Sequence, residues 1–182
     1  MLLENNTNNL NNPIIDFSLK GTDEKYYSPN DFIDKEVLVI IFMCNHCPYV
    51  KAVIKRLVSM QEKYSDKNVQ FIGINPNDTE AYPEDSFENM KIFRKEHNMN
   101  FPYLIDETQQ TARQYDAVCT PDIYVYNKEK LLKYRGRIDD NWQNENKVTR
   151  NELDEAIINI LHGKDPEQKQ NPSMGFSIKW KN

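Results

Sequence analysis

The longest apolar run in the chain is VLVIIFM, residues 37–43, continuous and rich in β-branched side chains. Such a run fits a strand buried on both faces. The period then changes. Tyr49, Val53, Leu57 and Met60, joined by Ile54 and Val58, recur at helical spacing and make one apolar face. A second buried strand follows at 69–74 (VQFIGI), then a polar loop at 75–82. Residues 85–97 place Phe87, Met90, Ile92 and Phe93 along an amphipathic helix. Residues 101–105 read as a short strand and 108–115 as a short helix. Residues 122–126 and 131–137 read as a hairpin joined by Asn127-Lys128-Glu129-Lys130. The last helix, 149–161, turns Leu153, Ile157, Ile160 and Leu161 inward. Thr149 and Glu152 have capping-box spacing, and Gly163 suits the position after the helix end. Upstream, Ile14, Ile15, Phe17 and Leu19 mark a first extended segment, and Ser28-Pro29-Asn30-Asp31 a turn into a short helix.

The order is therefore β-α-β-α followed by β-β-α. A strand–helix–strand unit implies a parallel crossover, and the late hairpin adds antiparallel strands. The expected fold class is α/β: a mixed central sheet with helices on both faces. Residues 1–12 are too polar to offset ordering entropy and are expected to be disordered. Residues 13–163 form the domain. Residues 164–182 form a polar tail whose Met174, Phe176, Ile178 and Trp180 pack back on it.

Composition narrows the function. The chain has 182 residues, one ordinary domain's length, and a net charge of −5. A mild acid without a basic cluster argues against nucleic acid as partner. No apolar run approaches the ~18 residues of a membrane span, and the polar start resembles no signal peptide, so a cytoplasmic location is expected. Three Cys exclude a disulfide scaffold. The sequence sets no oligomeric state.

The chemistry concentrates at Cys44-Asn45-His46-Cys47, where the first buried strand meets its helix. Three residues of separation across a helix start bring the two sulfurs close together. Free N–H groups and the positive end of the dipole stabilise a thiolate there, so Cys44 is expected to have the depressed pKa. His46 adds a positive charge or a donor that favours the thiolate further. Pro48 loses no helix hydrogen bond in the first turn. A structural zinc would need four ligands from three Cys and three His. A copper site using Cys44, Cys47 and one His is the metal alternative. A redox dithiol fits the strand–CxxC–helix setting best and needs no cofactor. Its partners would be disulfide or dithiol proteins or small thiols. Pro121 of Cys119-Thr120-Pro121 cannot donate to a ladder and marks a strand start. Cys119 reads as a buried small hydrophobe, with a third redox thiol as the sharper alternative. Arg135 and Arg137 read as a surface ion-pairing couple on one strand face, and Asp139-Asp140 as turn residues. Trp142 and Trp180 read as packing residues.

Taken together, PIIDFSLKGTDEKYYSPNDF, CNHCPYVKA, GINPND with YPEDSFENM, FPYLIDETQQTARQYDAVCTPDIYVYN with YRGRIDD, and PSMGFSIKW resemble the thioredoxin-like superfamily. Within it they resemble the bacterial redoxins of the alkyl hydroperoxide reductase/thiol-specific antioxidant group, over roughly residues 13–182. The resemblance implies a thioredoxin fold, with Cys44 attacking and Cys47 resolving. It also implies a cis Thr120-Pro121 loop facing the dithiol and offering backbone to an extended peptide. On this reading Thr120, Pro121, Asn45 and Pro48 contact substrate. Four departures stand out. The buried Asp of thioredoxin is replaced by Leu38, and the Glu of extracytoplasmic reductases by Val50. An alternative reading is a thiol peroxidase in which Cys44 or Cys47 forms a sulfenic acid, but the peroxiredoxin pattern P-x-x-x-[ST]-x-x-C fits neither cysteine, which counts against it. Relatives often carry a Cys where this chain has Phe176.

Overall fold

A computed structural model describes residues 1–4 and 9–182. Its centre is strand β4 (Val37–Phe42), flanked by parallel β5 (Val69–Asn75) and antiparallel β8 (Asp122–Tyr126). Strand β6 (Tyr103–Ile105) runs parallel to β5, and β9 (Leu132–Arg135) pairs antiparallel with β8. Strands β2 (Leu19–Gly21) and β3 (Tyr26–Tyr27) complete the order β3-β2-β6-β5-β4-β8-β9. The mixed sheet matches the expected class.

The alternation along β4 explains why it reads as continuously apolar. Val37, Val39 and Ile41 face one core with α1 (Pro48–Lys63), α2 (Phe87–Glu96) and α4 (Glu152–Leu161). Leu38, Ile40 and Phe42 face a second core closed by Phe17, Phe32 and α3 (Gln110–Gln114). Both faces of one strand are therefore buried, which only apolar residues at every position can satisfy. No helix among the described residues is long and apolar enough to cross a membrane.

Four local expectations are corrected. Leu2–Glu4 is a strand, β1, where composition predicts disorder: it pairs with β10 (Met174–Ser177), and backbone pairing needs no apolar side chain. The part of that expectation on residues 5–8 lies outside the described residues. The extended segment at 14–19 becomes a strand only from Leu19, in β2, and Pro13 makes only an isolated bridge to Leu131. Helix α4 starts at Glu152 with Asn151 as its cap. The capping box does not form, since Thr149 bonds Asp140 and the Glu152 carboxylate takes Arg137 and Asn171. Finally, Arg135 is fully buried on Asp122 at 3.0 Å beneath the Tyr124 ring, whereas Arg137 is partly exposed on Glu152. Strand alternation is broken after Arg135, where β9 ends.

Apolar residues of 174–180 reach both cores. Phe176 joins the core beneath α1, while Ile178 and Trp180 join the other. Trp142 lies on Tyr49, 4.0 Å between ring centroids, and Trp180 under the Arg113 guanidinium at 4.3 Å. Asp139 shapes the turn by accepting the Asn141 N–H, and its other oxygen binds buried Arg56.

Candidate active site

Strand β4 ends at Phe42 and α1 begins at Pro48, so Met43 and the four residues Cys44 to Cys47 form the whole connection. Cys47 is the helix cap, with extended backbone, and its carbonyl accepts the Lys51 N–H at 3.0 Å. Both cysteines are 1% exposed, and both are free thiols. Their side chains lie within hydrogen-bonding reach of each other. Thr120 touches both: its hydroxyl is 3.4 Å from the Cys44 Sγ, and its carbonyl oxygen 3.2 Å from the Cys47 Sγ. The Thr120–Pro121 bond is cis, as the resemblance implied.

The pair holds one proton tightly and the other loosely. Cys47 titrates well below the usual thiol range, chiefly because the Cys44 thiol donates to it. The backbone dipoles of Val50 and Phe176 add to that against the cost of burial. Cys44 is pushed well up, first by holding that donated proton, then by burial and by the charge of Asp85. The expectation that the first cysteine carries the lowered pKa is therefore corrected. The helix cap and the backbone of β10 favour the charge on Cys47, and Asp85 disfavours it on Cys44.

Asp85 is the residue that sequence reasoning missed. It is fully buried, just ahead of α2 and forty positions from the cysteines. One carboxylate oxygen accepts the N–H groups of Asn45 (2.8 Å) and His46 (3.2 Å); the other meets His46 Nδ1 (2.6 Å) and Asn77 Nδ2 (2.8 Å). It thus ties down the backbone and the imidazole of the CxxC loop together. A buried acid is present after all, delivered from a loop rather than from β4 or α1. No local signal in the YPED segment singles Asp85 out from Glu84 beside it.

Asn45 is turned inward. Its amide donates to Glu84 O (3.0 Å), and its oxygen accepts from the Tyr103 hydroxyl (2.8 Å). It braces the loop from within. Pro48 is exposed at the first helical position. The His46 ring, 26% exposed, stacks on Tyr82 and borders a cleft of about 320 Å³ also lined by Lys51, Phe93 and His97. Cys119 is buried against the carbonyls of Pro121 (3.6 Å) and Ser173 (4.0 Å), and burial pushes its thiol far up. Ligand atoms of Cys44, His46 and Asp85 lie within 4.8 Å of one another, a set that could hold a soft or borderline metal. Each Asp85 oxygen already has two donors, so metal would have to displace them.

Thr120 is the last residue of β7 (Cys119–Thr120), which pairs with β10, Phe176 opposite Thr120. The edge expected to receive substrate backbone is therefore occupied by the chain's own tail.

Known proteins can now be set beside this geometry. A search of curated proteins finds no match. Among solved structures, an uncharacterized conserved protein from Geobacillus kaustophilus is 41% identical with a TM-score of 0.93, over 100% of this chain and 97% of that one. A hypothetical protein from Sinorhizobium meliloti 1021 is 34% identical with a TM-score of 0.93, over 98% of each chain. A thiol:disulfide interchange protein of the thioredoxin family from Chlorobium tepidum TLS is 19% identical with a TM-score of 0.59, over 68% of this chain and 83% of that one. At that identity the likeness attests the thioredoxin-like fold. The AhpC/TSA family model matches residues 10–135, a span that includes Cys44 and Cys47. The chain belongs to the AhpC/TSA family, and its function is thiol-based redox chemistry.

Proposed function

We propose that the protein is a thiol–disulfide oxidoreductase working through Cys44 and Cys47. The observation that carries this is the pair of buried free thiols at the strand–helix junction, both touched by Thr120. The pair loses its first proton readily, and either sulfur can carry the resulting charge. For attack, the Cys44 proton passes across to Cys47. Thr120 suits that second arrangement, since its hydroxyl can donate to a Cys44 thiolate and its carbonyl can accept from a Cys47 thiol. The two forms are microstates of one titrating pair. Cys44 lies beside His46 and Asp85, whereas Cys47 caps α1 against the Thr120 carbonyl.

The electrons balance as follows. The Cys44 thiolate attacks a disulfide RS–SR′, forming Cys44–S–S–R and releasing R′S⁻. Cys47 gives its proton to R′S⁻ and attacks Cys44, closing the protein disulfide and releasing RS⁻. The dithiol loses two electrons and the substrate gains them. The reverse sequence oxidises a dithiol. Such cycling of a transient disulfide suits the cytoplasm.

The test is a pair of single variants. Cys44→Ser should abolish exchange, and Cys47→Ser should accumulate a Cys44 mixed disulfide visible by mass. Full turnover of Cys47→Ser with disulfide substrates would overturn the scheme. A second reading, metal binding, is favoured only by the Cys44–His46–Asp85 grouping. Tight copper(I) binding together with no exchange would select it.

A further inference from the structure

Strand β10 lies where an extended substrate would have to lie. Any peptide bringing a disulfide to these sulfurs by strand pairing must pair at Thr120, the residue whose hydroxyl and carbonyl touch Cys44 and Cys47. Phe176 already pairs there, and Ser177 pairs with Cys119. The fit is close: a Cβ on Gly175 would stand 2.1 Å from the Thr120 carbonyl oxygen, so only glycine admits this approach.

The strand is also stitched down along its length. Ahead of it, Ser173 Oγ donates to Gly136 O (2.6 Å) and the Arg137 N–H to Asn171 O (3.0 Å). On its outer edge it pairs with β1. Beyond it, Ile178 N–H bonds Val118 O (3.1 Å). Lys179 then bonds in both directions: its N–H to Asn77 Oδ1 (2.9 Å), its carbonyl from Asp78 N–H and Gln109 Nε2 (2.8 Å each). An incoming chain would have to break the β1–β10–β7 ladder and strain these anchors. A compact molecule can exchange at a sulfur without pairing its backbone along the Thr120 edge, and so leaves the ladder intact.

We propose that β10 is a self-bound substitute for a substrate strand, which closes the dithiol to extended polypeptides and reserves it for compact, low-molecular-weight disulfides. This rests on the dithiol reading above. In the step it restricts, a compact disulfide RS–SR takes two electrons from Cys44 and Cys47 and leaves as two thiols, while the protein closes its own disulfide.

The experiment uses the full chain, reduced. Its oxidation is followed by alkylation and mass, with two oxidants: glutathione disulfide, and a linear peptide dimer joined through a central cystine between small residues. The wild-type protein should react with glutathione disulfide at least about tenfold faster, a difference of about 1.4 kcal/mol in barrier. In Gly175→Val, whose side chain cannot sit against Thr120, the peptide rate should rise and the preference should narrow to about threefold or less. Equal wild-type rates for the two oxidants would overturn the inference, and this comparison stands even if Gly175→Val does not fold. A folded Gly175→Val with an unchanged preference would overturn it too. If neither oxidant closes the Cys44–Cys47 disulfide in the wild-type protein, the dithiol reading itself fails and this inference falls with it. Rapid glutathione disulfide reaction with slow peptide reaction supports both.

Discussion

Replacing Asp85 by Asn removes one charge and hardly changes shape, so its effect can be worked out donor by donor. The retained oxygen can keep the N–H groups of Asn45 and His46. The new amide nitrogen then faces His46 Nδ1 and Asn77 Nδ2. His46 can change tautomer and accept, exchanging a charge-assisted bond for a neutral one at a cost of about 1 kcal/mol. Asn77 cannot adapt. Flipping its amide would move the mismatch to the Lys179 N–H, which its oxygen now accepts at 2.9 Å. One buried donor is left unsatisfied, at roughly 1–3 kcal/mol. The sum is about 2–4 kcal/mol, or a Tm lower by roughly 5–15 °C for a chain of this length. Urea unfolding of the reduced protein measures it directly. The same substitution removes the negative charge that helps hold the Cys44 thiol up. The second ionisation of the pair, followed by thiolate absorbance in the ultraviolet, should therefore move to lower pH. A stability loss under about 1 kcal/mol, or a Cys44 titration that stays in place, would refute the placement of Asp85 as the buried acid tying the loop.

Arg135→Met leaves Asp122 charged and buried, and should cost about 3–5 kcal/mol in urea unfolding; adding Asp122→Asn should recover most of it, and a loss equal in both variants would count against an ionic cause. The reduced pair should contribute to stability in a pH-dependent way relative to the Cys44→Ser/Cys47→Ser double variant. The lowered Cys47 thiol stabilises the fold above its unfolded value of about 8.5, and that contribution is lost as pH falls through the lower folded value. The raised Cys44 thiol acts in the opposite sense, contributing below about 8.5 and losing it as pH rises beyond. The difference should peak near pH ~8.5, and a contribution that rises steadily into acid would contradict the assignment. Cys119→Ala should leave the exchange rate within about twofold, since burial keeps that thiol protonated; loss of exchange would make Cys119 a working thiol.

The sequence by itself determined the sheet's centre, the helices and the place of the chemistry. Residues 37–43 could be read as buried on both sides because each position had to satisfy one of two cores. The Cys44–Cys47 loop could be placed because a change of period from strand to helix is local. Boundaries failed where a side chain had a better partner elsewhere. Glu152 binds Arg137 instead of capping α4, and Arg135 is drawn inward to Asp122. Leu2–Glu4 orders through backbone pairing, to which composition is blind.

What only the tertiary structure decided is non-local. Asp85 reaches the loop from forty residues away, and nothing in the spacing of YPED marks a carboxylate with four inward donors. The distribution of charge between the two thiols depends on that carboxylate, on the helix cap and on the backbone of a strand more than a hundred residues downstream. The closure of the Thr120 edge depends on the same strand, β10, and on Gly175 lying against a carbonyl. Periodicity reports which face of an element is apolar. It carries no record of which distant backbone fills an open edge, because that is settled by long-range pairing and not by any local preference of the residues involved.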